Sequence, residues 1–186
     1  MKNRKSKALA LAIVLIMALF FANRTIAYKT VVGTATNVVT SGNIQLQILE
    51  TTDNGAFFPK EGVEVIPGQT VKKSVFIKNV CDHPFWLRIQ VVVGSGEDEL
   101  PASEILEILD LNVKYWAYRD GYYYYHRILQ PGEITEPLFT QVLVRGDKVN
   151  QHDVGKSMSL IVKAYAVQSE NNPAASPWEA AGWPDA

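Results

Sequence analysis

One cysteine, Cys81, is all the chain contains. No intrachain disulfide can form, so the fold must be held by core packing, association or a bound ion. Cys81 sits between an apolar stretch and Asp82 and reads as a small buried hydrophobe, with a reactive thiol or an interchain bridge as the alternative. Histidine is also scarce. His83, His126 and His152 are far apart and no His-Glu-x-x-His pattern occurs, so zinc ligation is not indicated and each reads as structural. There is no Gly-x-Ser-x-Gly elbow, no sequence context that activates Cys81, and no glycine-rich phosphate loop between a strand and a helix. Asp147, Asp153 and the run Glu97-Asp98-Glu99 offer carboxylate oxygens, but their spacing fits no calcium loop, and they read as solvated loop acids. No catalytic residue, no metal ligand and no cofactor site is therefore expected. A hydrolase or metallopeptidase is the weakest functional reading.

Positive charge is lacking over most of the chain. Residues 1–27 hold five basic residues (Lys2, Arg4, Lys5, Lys7, Arg24) and no acids. Of the 18 basic and 19 acidic residues in the whole chain, 13 and 19 fall after residue 27, a formal net charge of −6. A mildly acidic domain has no electrostatic attraction to nucleic acid or to anionic lipid.

Long hydrophobic runs are absent except at the start. Ala8 to Ala22 is an apolar run of 15 residues behind the basic stretch Lys2 to Lys7. As a helix it would extend about 22 Å, against a hydrocarbon core of about 30 Å. That fits a signal-peptide core better than a stable anchor. Thr25 and Ala27 give a small-x-small cleavage pattern; cleavage after Ala22 or Tyr28, or an uncleaved anchor, are the alternatives. The expected organisation is a signal peptide over 1–27, a β domain over 28–168 and an irregular tail over 169–186. The product would be secreted, meeting the membrane only through its signal peptide and signal peptidase only during export.

What remains is β-prone. Thr30 to Thr40 has no charged residue and reads as a strand, either of its own domain or lent to a neighbour. Ile44, Leu46 and Ile48 alternate with polar residues, and Val71 to Val80 is a second strand. Phe85, Leu87, Ile89, Val91 and Val93 form the strongest alternation and mark a core strand. Leu160, Val162, Ala164 and Ala166 mark the last long one. Pro67-Gly68 and Pro131-Gly132 read as turns placed before strands. Asp120-Gly121 reads as the centre of a tight hairpin between Leu111–Tyr118 and Tyr122–Leu129. The segment Pro101 to Asp110, capped by Ser103, is the one helix expected. Eight or nine strands without βαβ alternation indicate an all-β, two-sheet sandwich or jelly roll with one short helix.

The hairpin is crowded with aromatics: Trp116, Tyr118 and Tyr122 to Tyr125. Alternation puts Tyr122 and Tyr124 on one face and Tyr123 and Tyr125 on the other. Trp116, Tyr118, Tyr122 and Tyr124 are a candidate surface for a glycan or a partner in a monomeric module. Cross-strand packing of good strand formers is the competing reading.

Four pieces, in order, carry a family resemblance. Thr25-Ile-Ala-Tyr28 is followed by Thr40-Ser-Gly-Asn-Ile-Gln-Leu46. Pro67-Gly-Gln-Thr-Val-Lys-Lys-Ser-Val-Phe-Ile-Lys-Asn79 precedes Trp86-Leu-Arg-Ile89. Leu129-Gln-Pro-Gly-Glu133 comes before Pro137-Leu-Phe139. Val162-Lys-Ala-Tyr-Ala-Val-Gln-Ser-Glu-Asn171 is followed by Trp178. In these the chain resembles the TasA/camelysin family of secreted proteins of Gram-positive bacteria, processed by a SipW-type signal peptidase. The resemblance implies a jelly-roll sandwich and a biofilm-matrix or surface-fibre subunit. In such a fibre the N-terminal strand of one subunit completes the sheet of the next, in a head-to-tail polymer, with other matrix proteins as further partners. The donor residues would be Thr30, Val31, Val32, Val38 and Val39. Some relatives are labelled metallopeptidases; this chain has no zinc-protease motif, so that activity is not carried over.

Overall fold

The computed structural model describes residues 34–37, 44–59, 63, 65, 68–95, 98–101, 105–148, 159–170 and 172–184. Eleven strands occur among them: β1 (Thr34–Asn37), β2 (Leu46–Thr51), β3 (Thr70–Lys72), β4 (Ser74–Asn79), β5 (Phe85–Ser95), β6 (Asp98–Pro101), β7 (Leu106–Ile108), β8 (Trp116–Arg119), β9 (Tyr122–Tyr125), β10 (Gln141–Val144) and β11 (Ser159–Gln168). One layer has the order β1-β11-β5-β9-β8, with β6 on the far end of β5. Its spine is the antiparallel β5–β11 ladder, which runs from Phe85↔Gln168 to Gly94↔Ser159. The other layer contains β2–β4 and β3–β10–β7. Backbone bonds from the segment before β10 join these two ladders: Thr135 N–H to Ile77 O, Leu138 N–H to Val75 O, and Lys73 N–H to Thr140 O.

The two layers bury a common core, as an all-β sandwich must. Phe85, Leu87, Ile89, Val91 and Val93 of β5 meet Leu160, Val162, Ala164 and Ala166 of β11 and, from the other layer, Leu46, Ile48, Val71, Val75, Ile77, Val142 and Val144. These are the alternating positions of the sequence, because successive strand residues point to opposite faces and only one face is covered by the partner sheet. Asp120 and Gly121 both have positive φ, 49° and 85°, as a primed hairpin turn requires. The Pro131-Gly132 turn is closed by Glu133 N–H to Gln130 O at 3.0 Å.

The expected helix over Pro101 to Asp110 is absent from the described residues of that span; residues 102–104, with the expected cap Ser103, lie outside them. Pro101 ends β6, and Leu106 to Ile108 form β7. Leu106 pairs with Val144 and Ile108 with Val142, and Arg145 N–H bonds Ile105 O. Ladder pairing to β10 overrides a helical pattern that local propensity alone supports. The expected strand from Leu111 shortens to β8, with turns at Val113 to Tyr115. The only helical piece among the described residues is a 3-10 turn, Pro177–Glu179, in the tail.

Asn79 ties one end of the sandwich together. Its amide donates to His83 O at 2.9 Å and Leu129 O at 3.0 Å and accepts from Cys81 N–H at 2.9 Å. Its backbone bonds both Gly132 and Glu133. One buried amide thus fixes β4, the loop to β5 and the Pro131-Gly132 turn, which explains an asparagine at the end of an apolar strand.

Candidate functional site

Two regions stand out from the fold. The first is the edge of the β5–β11 sheet. Beside β11 lies β1, parallel, in the register Thr34↔Ile161 to Asn37↔Ala164. This is the one parallel pairing among the described ladders. It is also short, matching four residues of a ten-residue strand. β1 falls inside the uncharged run Thr30 to Thr40. The donor residues Thr30, Val31, Val32, Val38 and Val39, and the cleavage residues Thr25 and Ala27, lie outside the described residues.

The second region is the outer face of the same sheet. Hairpin register places Trp116 opposite Tyr125 and Tyr118 opposite Tyr123, while Ala117 and Arg119 oppose Tyr124 and Tyr122. The four candidate surface aromatics are therefore split between faces. Trp116 is 1% exposed, its indole tilted against Tyr125 and its N–H given to Glu136 O. It is a core residue rather than part of a surface, since it alternates inward with the core face of β5. Tyr118 is 58% exposed and packs on Tyr123. Burial and then Tyr118 push the Tyr123 phenol up to about 12. Only Tyr122 and Tyr124 share the outer face.

The tail packs onto that face, so its irregular backbone is part of the domain. Trp183 meets Tyr124 edge-on at 5.9 Å. It also joins a small cluster with Trp86, Val167 and Ala180. Trp178 lies against Arg119, 4.7 Å from guanidinium carbon to ring, and against His126. At the centre is Arg88, 8% exposed. Its guanidinium lies 3.8 Å from the Tyr122 ring centroid, 4.8 Å from Trp183 and 5.3 Å from Tyr165. Its Nη2 donates to Pro184 O at 2.7 Å.

Three other polar groups bear on the question of chemistry. Lys73, 0% exposed, pairs with Glu50 at 2.8 Å beneath the Phe58 ring. Burial pushes its ammonium below the ordinary lysine value, and Glu50 pulls the other way. Partial burial raises the Asp110 carboxyl. Bonds from the Thr140 hydroxyl and from the Thr140 and Gln141 N–H groups, with Lys72 nearby, outweigh it and hold Asp110 below the usual range. Both are structural ties between strands. Cys81 is half-buried, its thiol on Asn79 Oδ1 and His83 O. Among the described residues no three His, Cys, Asp or Glu side chains gather as metal ligands.

Sequence reading reached Tyr122 and Tyr124 but missed Arg88, Tyr165 and Trp183, which complete the cluster from three separate segments. Trp86 and Arg88 did carry a signal, as outward positions on the strongest core strand filled by an indole and a guanidinium. No protein-family model, curated protein or solved structure matches the chain.

Proposed function

We propose that the chain is a secreted structural subunit that assembles with copies of itself by exchanging its N-terminal strand, in the manner implied by its resemblance to TasA/camelysin proteins. Its role is mechanical rather than catalytic, in a surface fibre or biofilm matrix. The observation that supports this reading is the β1–β11 pairing. β1 is a short strand at the sheet edge, joined in parallel to an otherwise antiparallel sheet, and parallel pairing is the weaker mode per residue. A strand from a second copy can satisfy the same backbone donors and acceptors in the same register. Exchange costs little enthalpy, because the bonds broken and made are alike. When each copy passes its strand onward, the contact is head-to-tail and does not close, which gives a filament.

Thr36 and Lys163 are register partners, which makes the exchange testable by crosslinking. With Cys81→Ser as background, one preparation carries Thr36→Cys and another carries Lys163→Cys. Strand exchange gives a covalent heterodimer on oxidation of the mixture, and fibres by electron microscopy of the parent protein. Absence of that heterodimer, or fibres formed by a chain lacking residues 28–40, would refute the reading.

A further inference from the structure

The cluster around Arg88 contains a contradiction that strand exchange does not resolve. A guanidinium is permanently charged, and burying a charge without a counter-ion is strongly unfavourable. Arg88 is nearly fully buried, yet none of the ion pairs among the described residues includes it. Among the described residues its charge meets three rings and one neutral carbonyl, Pro184 O. The fork is also half used. Nε–H and Nη2–H point the same way and form the side of the guanidinium that grips a carboxylate with two parallel bonds. Nη2 is engaged by Pro184 O, while Nε is buried with no partner among the described residues. On the same sheet face, the indole N–H groups of Trp86 and Trp183 are likewise buried without acceptors among the described residues. Three donors without acceptors in one apolar cluster are unusual in a folded protein.

We infer that this outer face is a binding site for a carboxylate-bearing sugar, a uronate unit of an acidic glycan, with Arg88 as its anchor. The carboxylate takes both Nε–H and Nη2–H of Arg88, displacing the Pro184 carbonyl. The Trp183 indole N–H gives the ligand a further bond. A sugar is favoured over an acidic peptide by what lies alongside. Trp178 is 38% exposed, offering an aromatic face to the C–H side of a pyranose. Arg119, stacked on Trp178, places a second cation next to the first, with Tyr122 between them as ring partner of Arg88 and cross-strand partner of Arg119. Alternating cations and rings match a polymer that alternates carboxylates and sugar faces. The site requires neither β1 nor a second copy of the chain.

The four tryptophans (Trp86, Trp116, Trp178 and Trp183) provide the readout through their indole N–H resonances in the nitrogen-15-labelled exported protein. An oligogalacturonate, a neutral oligogalactose and a short poly-glutamate peptide are titrated at matched ionic strength. The expected result is a saturable shift of the Trp183 and Trp86 signals with the uronate alone. Trp116, whose N–H holds Glu136 O, stays in place as an internal control. Arg88→Lys keeps the charge but loses the fork and should weaken binding about tenfold or more. Trp183→Phe keeps a ring on the sheet and removes one donor; in protein shown folded by its thermal melt it should weaken binding, which separates recognition from folding. The inference is overturned if the uronate gives no saturable shift, if the neutral sugar shifts the same signals, if poly-glutamate binds more tightly than the uronate, or if Arg88→Lys in a folded protein binds as the parent does.

Discussion

Replacing Asn79 with alanine tests the idea that one buried amide locks an end of the sandwich. The side chain makes four hydrogen bonds of about 3 Å: to His83 O, to Leu129 O, and from the Cys81 N–H and thiol. Each such bond contributes about 1 kcal/mol net, and a partner left buried without water costs about 1–3 kcal/mol. The partners differ in what they retain. Leu129 O keeps the Phe85 N–H at 3.2 Å, while Cys81 and His83 lie in a half-exposed loop that water can reach. Asn79→Ala should therefore cost about 2–4 kcal/mol, below the fully orphaned limit. At about 3 °C per kcal/mol for a domain of this size, the melting temperature falls by about 6–12 °C. Urea titration at constant m reads the change directly. Asn79→Asp sharpens the test. Aspartate can still accept the Cys81 N–H but turns a negative oxygen toward two carbonyls, so it should be at least as damaging at neutral pH and partly recover when protonated. A loss under about 0.5 kcal/mol for alanine, or full stability of the aspartate variant at neutral pH, would show that the amide is not the lock.

Three further outcomes follow from other parts of the fold. Lys73→Ala leaves Glu50 without its partner beneath Phe58 and should cost about 3–5 kcal/mol, whereas Lys73→Met with Glu50→Leu should come within about 1 kcal/mol of the parent or exceed it; equal losses in urea melts would contradict this. Tyr123 ionises higher folded, at about 12, than unfolded, at about 10. Its contribution is fully present below pH of about 10 and lost as pH rises toward about 12, because the unfolded state sheds its proton first. Tyr123→Phe should flatten the fall of stability in that window, and an unchanged slope in denaturation at graded pH would refute it. Truncation after Glu170 uncovers Trp86, Val167 and the Arg88 cluster, so binding of a hydrophobic dye should rise and the melting temperature should fall; neither change would mean that the tail rests on the sheet without stabilising it.

The strand content and the core were legible in the sequence because a half-buried strand repeats its environment every two residues. Phe85 to Val93 and Leu160 to Ala166 announce their inward faces without knowledge of their partners. Asp120-Gly121 announced its turn for a similarly local reason, the tolerance of both residues for positive φ. The segment at Leu106 was misread because Ile105, Leu106, Ile108 and Leu109 satisfy a helical spacing as well as a short strand. The choice between them was made by β10, which supplies the ladder from more than thirty residues away. The Asp110 to Thr140 tie has the same long reach.

The outer face shows the division most clearly. Composition and alternation established that tyrosines crowd a hairpin and that two of them face away from the core. Neither could tell that Arg88 from β5, Tyr165 from β11 and Trp183 from the tail converge on them. Ring stacking on a cation has no sequence period, and the four segments share only a face of a sheet. Which residues are inward is a property of each strand taken alone. Which residues meet, and which buried donors lack an acceptor, depends on strand order and on where an aperiodic tail comes to rest.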